Sequence, residues 1–286
     1  EDRLYLLNDL KIIINKPDTT MTESEKMKTI FKFIQQKMNW NGDFGYYSDK
    51  GVKQAYIDKT GNVAEINFNL INMLKLAGIV ANPVLISTRE HGIPVFPNRT
   101  VFNYVIAAAE INGERILLDA TNKFTTYNVL PLNVLNWNGR LIRQDETSEE
   151  IKLVPSKPSR RSYNLTVSVA QDGTMSGKYL VQKTDYEALL FRESEAGMKK
   201  ENYLEKKENE FQGIEISDYV IENKSTDLSK AVVERFTFAS NNHCEIIGGK
   251  MFINPLLFFT MDKNPFVQEK RKMPVYFGYP RQEKYN

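Results

Sequence analysis

TGNVAEINFNLINMLKLAGI, residues 60–79, is the stretch on which the reading of the whole chain turns. A glycine opens it, an apolar body follows, and Gly78 stands just past its end, where a left-handed residue commonly closes a helix. Thr60 reads as the cap. A helix of this kind is where a thiol that attacks carbonyls gains most, because the dipole and the free first-turn amides stabilise a thiolate and lower its pKa. The stretch holds neither Cys nor Ser, and beyond Thr60 its first turn offers nothing that can attack a carbonyl.

Working outward, residues 22–40 open with Thr22 and Glu25 in capping-box spacing. Met27, Ile30, Phe31, Ile34 and Met38 then recur at helical period. Leu4, Leu7, Leu10 and Ile13 suggest a leading helix, although the isoleucine run also suits a strand. WNGDFGYYSDKG, residues 40–51, is an aromatic, glycine-rich loop. Downstream, Asn82-Pro83 breaks the pattern before a short strand, VLIST. VFNYVIAAAEINGERILLDAT, residues 101–121, reads as two strands joined by Asn112-Gly113, a strong hairpin signal.

Residues 143–162 are charged, carry two prolines and have linker texture. Beyond them Asp172-Gly173 marks a second hairpin, and residues 185–211 form a charged helical stretch with Leu204 and Phe211 facing inward. IEISDYVIEN, AVVERFTFAS and CEIIGGKMFI alternate as half-buried antiparallel strands do. The expected class is α+β in two parts. Residues 1–145 are helices packed on an antiparallel sheet, and residues 155–286 are a β-rich domain with one helical excursion.

Composition narrows the function. Lys and Arg total 38 against 36 Asp and Glu, so no broad basic surface exists for a phosphate backbone, and nucleic acid is not the expected partner. No apolar run approaches the ~18 residues that span a bilayer. One cysteine, Cys244, excludes an internal disulfide and a multi-cysteine metal site. With His91 and His243 the only histidines, a histidine-rich zinc site is not expected, nor is any other metal or cofactor. Gly248-Gly249 alone is too weak a signal for phosphate. The start at Glu1 reads as a trimmed piece of a larger protein, any signal peptide removed.

The order of segments resembles the transglutaminase-like superfamily, whose papain-like core carries a Cys-His-Asp site. Residues 61–90 look like the family's Cys helix and following strand, where the pattern is Gly-x-Cys-x-Asp/Glu. Residues 100–121 look like its His and Asp strands, usually Phe-Asn-His and Leu-Asp-Pro/Ala-Thr, and residues 40–51 match the aromatic loop before the Cys helix. The resemblance covers residues 20–140. The second half, ending in FFTMDKNPFVQEKRKMPVYFGYP, is similar to an uncharacterised β-rich module that follows such domains in some Gram-negative bacterial proteins.

Carried over position by position, the resemblance puts the nucleophile's place on Val63, the base's on Tyr104 and the orienting acid's on Asp119. Valine offers no lone pair, and a phenol with pKa near ~10 is a poor base at neutral pH and a better hydrogen-bond donor. Losing one member of such a triad typically costs about 10⁴- to 10⁶-fold in turnover. The expectation is therefore a degenerate, non-catalytic member that recognises a peptide or a carbohydrate in the former cleft. Trp40, Phe44, Tyr46 and Tyr47 are candidate cleft residues, with Asn103 and Tyr104 as a polar floor. The alternative for Trp40 and Phe44 is a place in the core. Glu65 reads as a first-turn carboxylate favoured by the dipole, or else as partner to Asp119 in an unconventional, glycosidase-like hydrolase. A third alternative is a purely structural module. His243 and Cys244, adjacent on a strand, point apart and form no dyad. Export to the periplasm or cell surface is what the resemblance implies.

Overall fold

The computed structural model describes residues 3–14, 21–94, 100–260, 267, 270 and 275–286. The chain divides into two compact units, Glu1–Ser156 and Lys157–Asn286. Both are α+β.

The first unit opens with a 3-10 turn, Leu4–Leu6, running into α1, Leu7–Ile14. Its apolar face is Leu6 and Leu10, while Leu4 points to solvent, so the leading helix forms with a different buried stripe than Leu4 and Leu7 suggest. In α2, Glu23–Lys37, Thr22 Oγ1 accepts from the Glu25 amide at 3.3 Å and the Glu25 carboxylate accepts from the Thr22 amide at 2.8 Å, closing the expected capping box. Met27, Ile30, Phe31 and Ile34 are its buried face.

A two-residue strand, β1 (Asn39–Trp40), pairs in parallel with β2 (Thr60–Gly61). Between them lies α3, Val52–Asp58, a helix that the sequence reading does not assign. The central helix α4 is Val63–Leu76. Asn62, not Thr60, caps it: its side chain accepts from the Glu65 amide, and Glu65 reaches back to the Asn62 amide. The helix ends in a Schellman turn. Ile79 N donates to Leu74 O at 3.0 Å and Gly78 N to Lys75 O at 3.1 Å, with Gly78 at φ +83°.

Five antiparallel strands follow in the order β5-β4-β3-β6-β7. They are β3 (Val80–Ile86), β4 (Tyr104–Ile111), β5 (Glu114–Leu118), β6 (Asn138–Ile142) and β7 (Ser148–Lys152). Asn112 and Gly113 take φ of 51° and 80°, as a type I′ hairpin turn requires. Two readings change here. β3 begins before Pro83 rather than after it, at a point that the β6 register, covering Val84 and Leu85, does not reach. The linker-textured stretch also supplies β7, so the first unit runs to Ser156. The helices bury α4 against β3 and β4, with Ile66, Leu70, Met73 and Leu74 meeting Ala107 and Ala109 in one core cluster.

The second unit is a five-stranded sheet, β10-β11-β9-β8-β14. Its strands are β8 (Ser159–Val169), β9 (Met175–Lys183), β10 (Glu215–Glu222), β11 (Val232–Ser240) and β14 (Arg281–Tyr285), the last pairing in parallel with β8. Two helices, α5 (Asp185–Ser194) and α6 (Lys200–Glu210), replace the single helical stretch of the sequence reading, parted near Gly197 at φ +76°. In α6 the buried residues are Tyr203 and Lys207, whereas Leu204 is only half-buried. CEIIGGKMFI does not join the sheet. It folds on itself as β12 (Cys244–Ile247) and β13 (Lys250–Ile253). Most of FFTMDKNPFVQEKRKMPVYFGYP lies outside the described residues.

Candidate functional site

The α4 N-terminus is closed by the loop before it. The amide of Val63, at the first helical position, donates to Asp43 O at 3.3 Å, and the Trp40 indole donates to the same carbonyl at 2.9 Å. A first-turn amide that would stabilise an anion is thereby spent on the protein's own chain. Glu65 organises the rest. Its Oε1 accepts from Ser48 Oγ, Asp49 N and Lys50 N at 2.8–3.2 Å, and its Oε2 accepts from Asn62 N at 2.9 Å. The glycine entry has a reason here. A Cβ on Gly61 would fall 2.7 Å from Glu65 Oε2, so only glycine leaves the carboxylate its place. Glu65 is thus a buried cap and loop anchor, more than a first-turn carboxylate answering the dipole.

The second part joins α4 to β4 and β5 through Asn67. Asp119, at the end of β5, has Oδ2 taken by the Tyr104 hydroxyl at 2.7 Å. Its Oδ1 accepts from Thr121 N at 2.8 Å, Thr121 Oγ1 at 2.7 Å and Asn67 Nδ2 at 3.3 Å. Asn67, from α4, also donates to Val105 O and accepts from Ala120 N, pinning the helix to both strands. Tyr104 and Asp119 thus meet directly, and the three positions assigned to nucleophile, base and acid are all sealed: Val63 is 0% exposed, Tyr104 2% and Asp119 0%. Burial drives the Tyr104 hydroxyl well above its usual pKa, and the Asp119 charge adds to that, so the phenol stays a donor and not a base. Burial also raises Asp119 above the ordinary 3.8, against the pull of the Thr121, Tyr104 and Asn67 hydrogen bonds.

That shift makes a pH signature. A carboxyl whose folded pKa is raised binds its proton more tightly in the folded state. Its contribution to stability is therefore greatest below the unfolded value of 3.8 and is lost as pH rises through the folded value. Asp119→Asn should remove this loss, so the difference in melting temperature between variant and wild type should widen in the variant's favour from about pH 4 to pH 7. A constant difference across that range would show that Asp119 titrates in the folded state as it does in the unfolded chain.

Over this sealed centre the aromatic loop forms a roof. Trp40 and Phe44 are 40% and 43% exposed, with ring centroids 5.3 Å apart, and Phe44 lies 5.8 Å from the Tyr104 ring. Neither is a core residue. Tyr47 is exposed and packs against half-buried Tyr46 at 4.0 Å. Asn103 is not a floor residue. Its side chain accepts from Thr88 N and donates to Thr88 Oγ1, so it tethers the end of β3.

The remaining candidates stand elsewhere. His91 bonds the Thr100 carbonyl at 2.8 Å on the surface, and His243 Nδ1 pairs with Ser240 Oγ at 2.7 Å in the second unit, beside Cys244 of β12. Among the described residues no group of three or more His, Cys, Asp or Glu is placed to hold a metal ion, and no helix is long and apolar enough to cross a membrane. Sequence reasoning missed Asn67 and Thr121. Asparagines at 62, 67, 69 and 72 in a largely apolar stretch are the available signal, since polar side chains on a buried helix need partners, and the first three are buried.

No family model matches the chain, and no curated protein matches it. A crystal structure of a "putative protease" from Parabacteroides distasonis is similar over 85% of this chain and 50% of that one, at 12% identity and a TM-score of 0.41. The chain thus spans about half the length of that neighbour.

Proposed function

We propose that this chain is a non-catalytic recognition protein whose first unit is a transglutaminase-like domain that has lost its nucleophile at Val63 and its base at Tyr104. It binds a peptide or a glycan on the aromatic surface of Trp40, Phe44 and Tyr47, above the former site and not inside it. The observation that carries this reading is the closure of the centre. A valine, a buried phenol and a fully hydrogen-bonded carboxylate occupy the three positions where a nucleophile, a base and its orienting acid would have to meet substrate. Glu65 has both oxygens engaged by backbone amides of the loop and of the helix cap, so it serves as an anchor and not as half of a hydrolytic pair. Exposed aromatic faces suit sugar rings and extended peptides, since they bury area without losing much side-chain freedom. Export to the periplasm or cell surface fits such a role.

Four preparations test it: wild type, Trp40→Ala, Asp119→Asn, and the double variant Val63→Cys with Tyr104→His. Wild type is expected to turn over no peptide amide. Its binding to peptide and glycan arrays should fall about tenfold or more in Trp40→Ala. The thiol introduced at 63 should alkylate no faster than Cys244, because the position is buried. Amide hydrolysis or transamidation by wild type that disappears in Asp119→Asn would overturn the reading, as would array binding indifferent to Trp40.

A further inference from the structure

The sheet of the second unit carries charge on its apolar face. Alternation along β9 turns Tyr179, Val181 and Lys183 inward, and along β11 it turns Val232, Glu234 and Phe236 inward. Lys183 pairs with Glu234, both buried. From α6, Lys207 stands 3.8 Å from the other oxygen of the same carboxylate, which also accepts from the Tyr203 and Tyr219 hydroxyls. Two buried ammonium groups thus share one carboxylate. Burial, together with the Lys207 charge, outweighs the help of Glu234 and holds Lys183 down at about 8. The arrangement recurs one element away. Buried Glu187 pairs with Arg161 and stands 3.8 Å from Arg281.

Of these groups Arg161, Lys183, Glu187 and Lys207 line a cavity of about 420 Å³, walled by Tyr179, Phe191 and Phe211. Two of the lining residues each carry a buried atom without a partner: Arg161 its Nε, a donor, and Glu195, at the end of α5, its Oε2, an acceptor. Glu195 is 3% exposed; its other oxygen takes Ser194 Oγ at 3.3 Å and faces Lys206 at 3.9 Å. Native interiors satisfy nearly all such groups, so an open cationic donor and an open anionic acceptor in one aromatic cavity call for an occupant carrying both complements.

We propose that this cavity binds a small zwitterion, a free amino acid or short peptide with an apolar side chain. The carboxylate lies by Arg161 and Lys207, the ammonium meets Glu195, and the side chain lies on the rings of Tyr179 and Phe211. The charge excess beside Glu234 and Glu187 favours the carboxylate end, and the open oxygen of Glu195 selects for the ammonium.

Calorimetric titration of the full chain tests this with L-phenylalanine, L-leucine and the dipeptide of leucine and phenylalanine. Two analogues of L-phenylalanine serve as controls, 3-phenylpropionate lacking the ammonium and phenethylamine lacking the carboxylate. At least one zwitterion is expected to bind saturably, with each L-phenylalanine analogue about tenfold weaker or worse. Glu195→Gln should weaken the zwitterion about tenfold and leave 3-phenylpropionate unchanged. Lys207→Met leaves one lysine per carboxylate at Glu234, so it should fold as wild type does and lose binding. Binding should survive Trp40→Ala, which separates this site from the aromatic surface of the first unit. No saturable binding of the three zwitterions at millimolar concentration would overturn the proposal. So would equal affinity for phenylalanine and its two analogues, or a zwitterion affinity untouched by both Glu195→Gln and Lys207→Met.

Discussion

Replacing Glu234 with alanine should cost the second unit about 3–5 kcal/mol, the largest effect expected of any single substitution in the chain. The carboxylate holds two buried ammonium groups, Lys183 and Lys207, and accepts from the hydroxyls of Tyr203 and Tyr219. Removing it leaves like charges facing each other in a partly desolvated interior, with buried donors deprived of their acceptor. Most of the loss is the penalty on the groups left behind, not the worth of the pair itself. A double variant, Glu234→Leu with Lys183→Met, should therefore recover much of the stability, because it removes charge and partner together. Both tryptophans, Trp40 and Trp137, belong to the first unit. Tryptophan fluorescence thus follows that unit, while the tyrosine-rich core around Tyr163 and Tyr179 reports the second through near-ultraviolet circular dichroism. Glu234→Ala should shift the tyrosine transition and spare the tryptophan one. A shift below about 1 kcal/mol would mean that the two lysines find other partners.

Asp119→Ala should destabilise the first unit by about 3–4 kcal/mol, while Tyr104→Phe should cost about 1 kcal/mol. The asymmetry follows from the hydrogen bonds. Alanine strands four buried donors: the Tyr104 hydroxyl, the Thr121 amide and hydroxyl, and one Asn67 N–H. Asn67 keeps Val105 O, and Tyr104 keeps Thr121 Oγ1 at 3.0 Å, which limits the loss. Phenylalanine at 104 removes one donor and leaves Asp119 three. Denaturant titration followed by tryptophan fluorescence measures both, and the ratio matters. A residue kept for turnover usually costs little when removed, whereas one that has become a structural joint costs much. Equal and small effects of the two substitutions would argue that the centre is not the joint described here.

Much of this was visible in the residues. The capping box at Thr22 and Glu25, the Asn112-Gly113 turn and the Gly78 exit are set by chemistry within four residues of each other, and each forms as read. The pairing of Tyr104 with Asp119 was carried by a resemblance of motifs in order. Other features were read only in part. Thr60 and Asn62 are both competent caps, and the choice went to Asn62 because its amide meets Glu65 and its side-chain nitrogen meets Tyr47 O and Asp49 Oδ2. The strand β14 pairs with β8 across more than a hundred residues of chain, and no local pattern marks it.

The sequence by itself determined that valine, tyrosine and aspartate stand at 63, 104 and 119, and that the first offers no lone pair and the second a phenol. Side-chain identity decides that before any folding. Only the tertiary structure decided that the same three positions are shut from solvent, that Glu65 is spent on loop amides, and that Trp40 and Phe44 face outward above them. It also decided that Lys183 and Lys207 share Glu234 and line a cavity. Burial and hydrogen-bond satisfaction depend on which distant segments meet, here α4 with β4 and β5, and β9 with β11 and α6. Spacing along the chain specifies faces and turns; it does not specify what covers them.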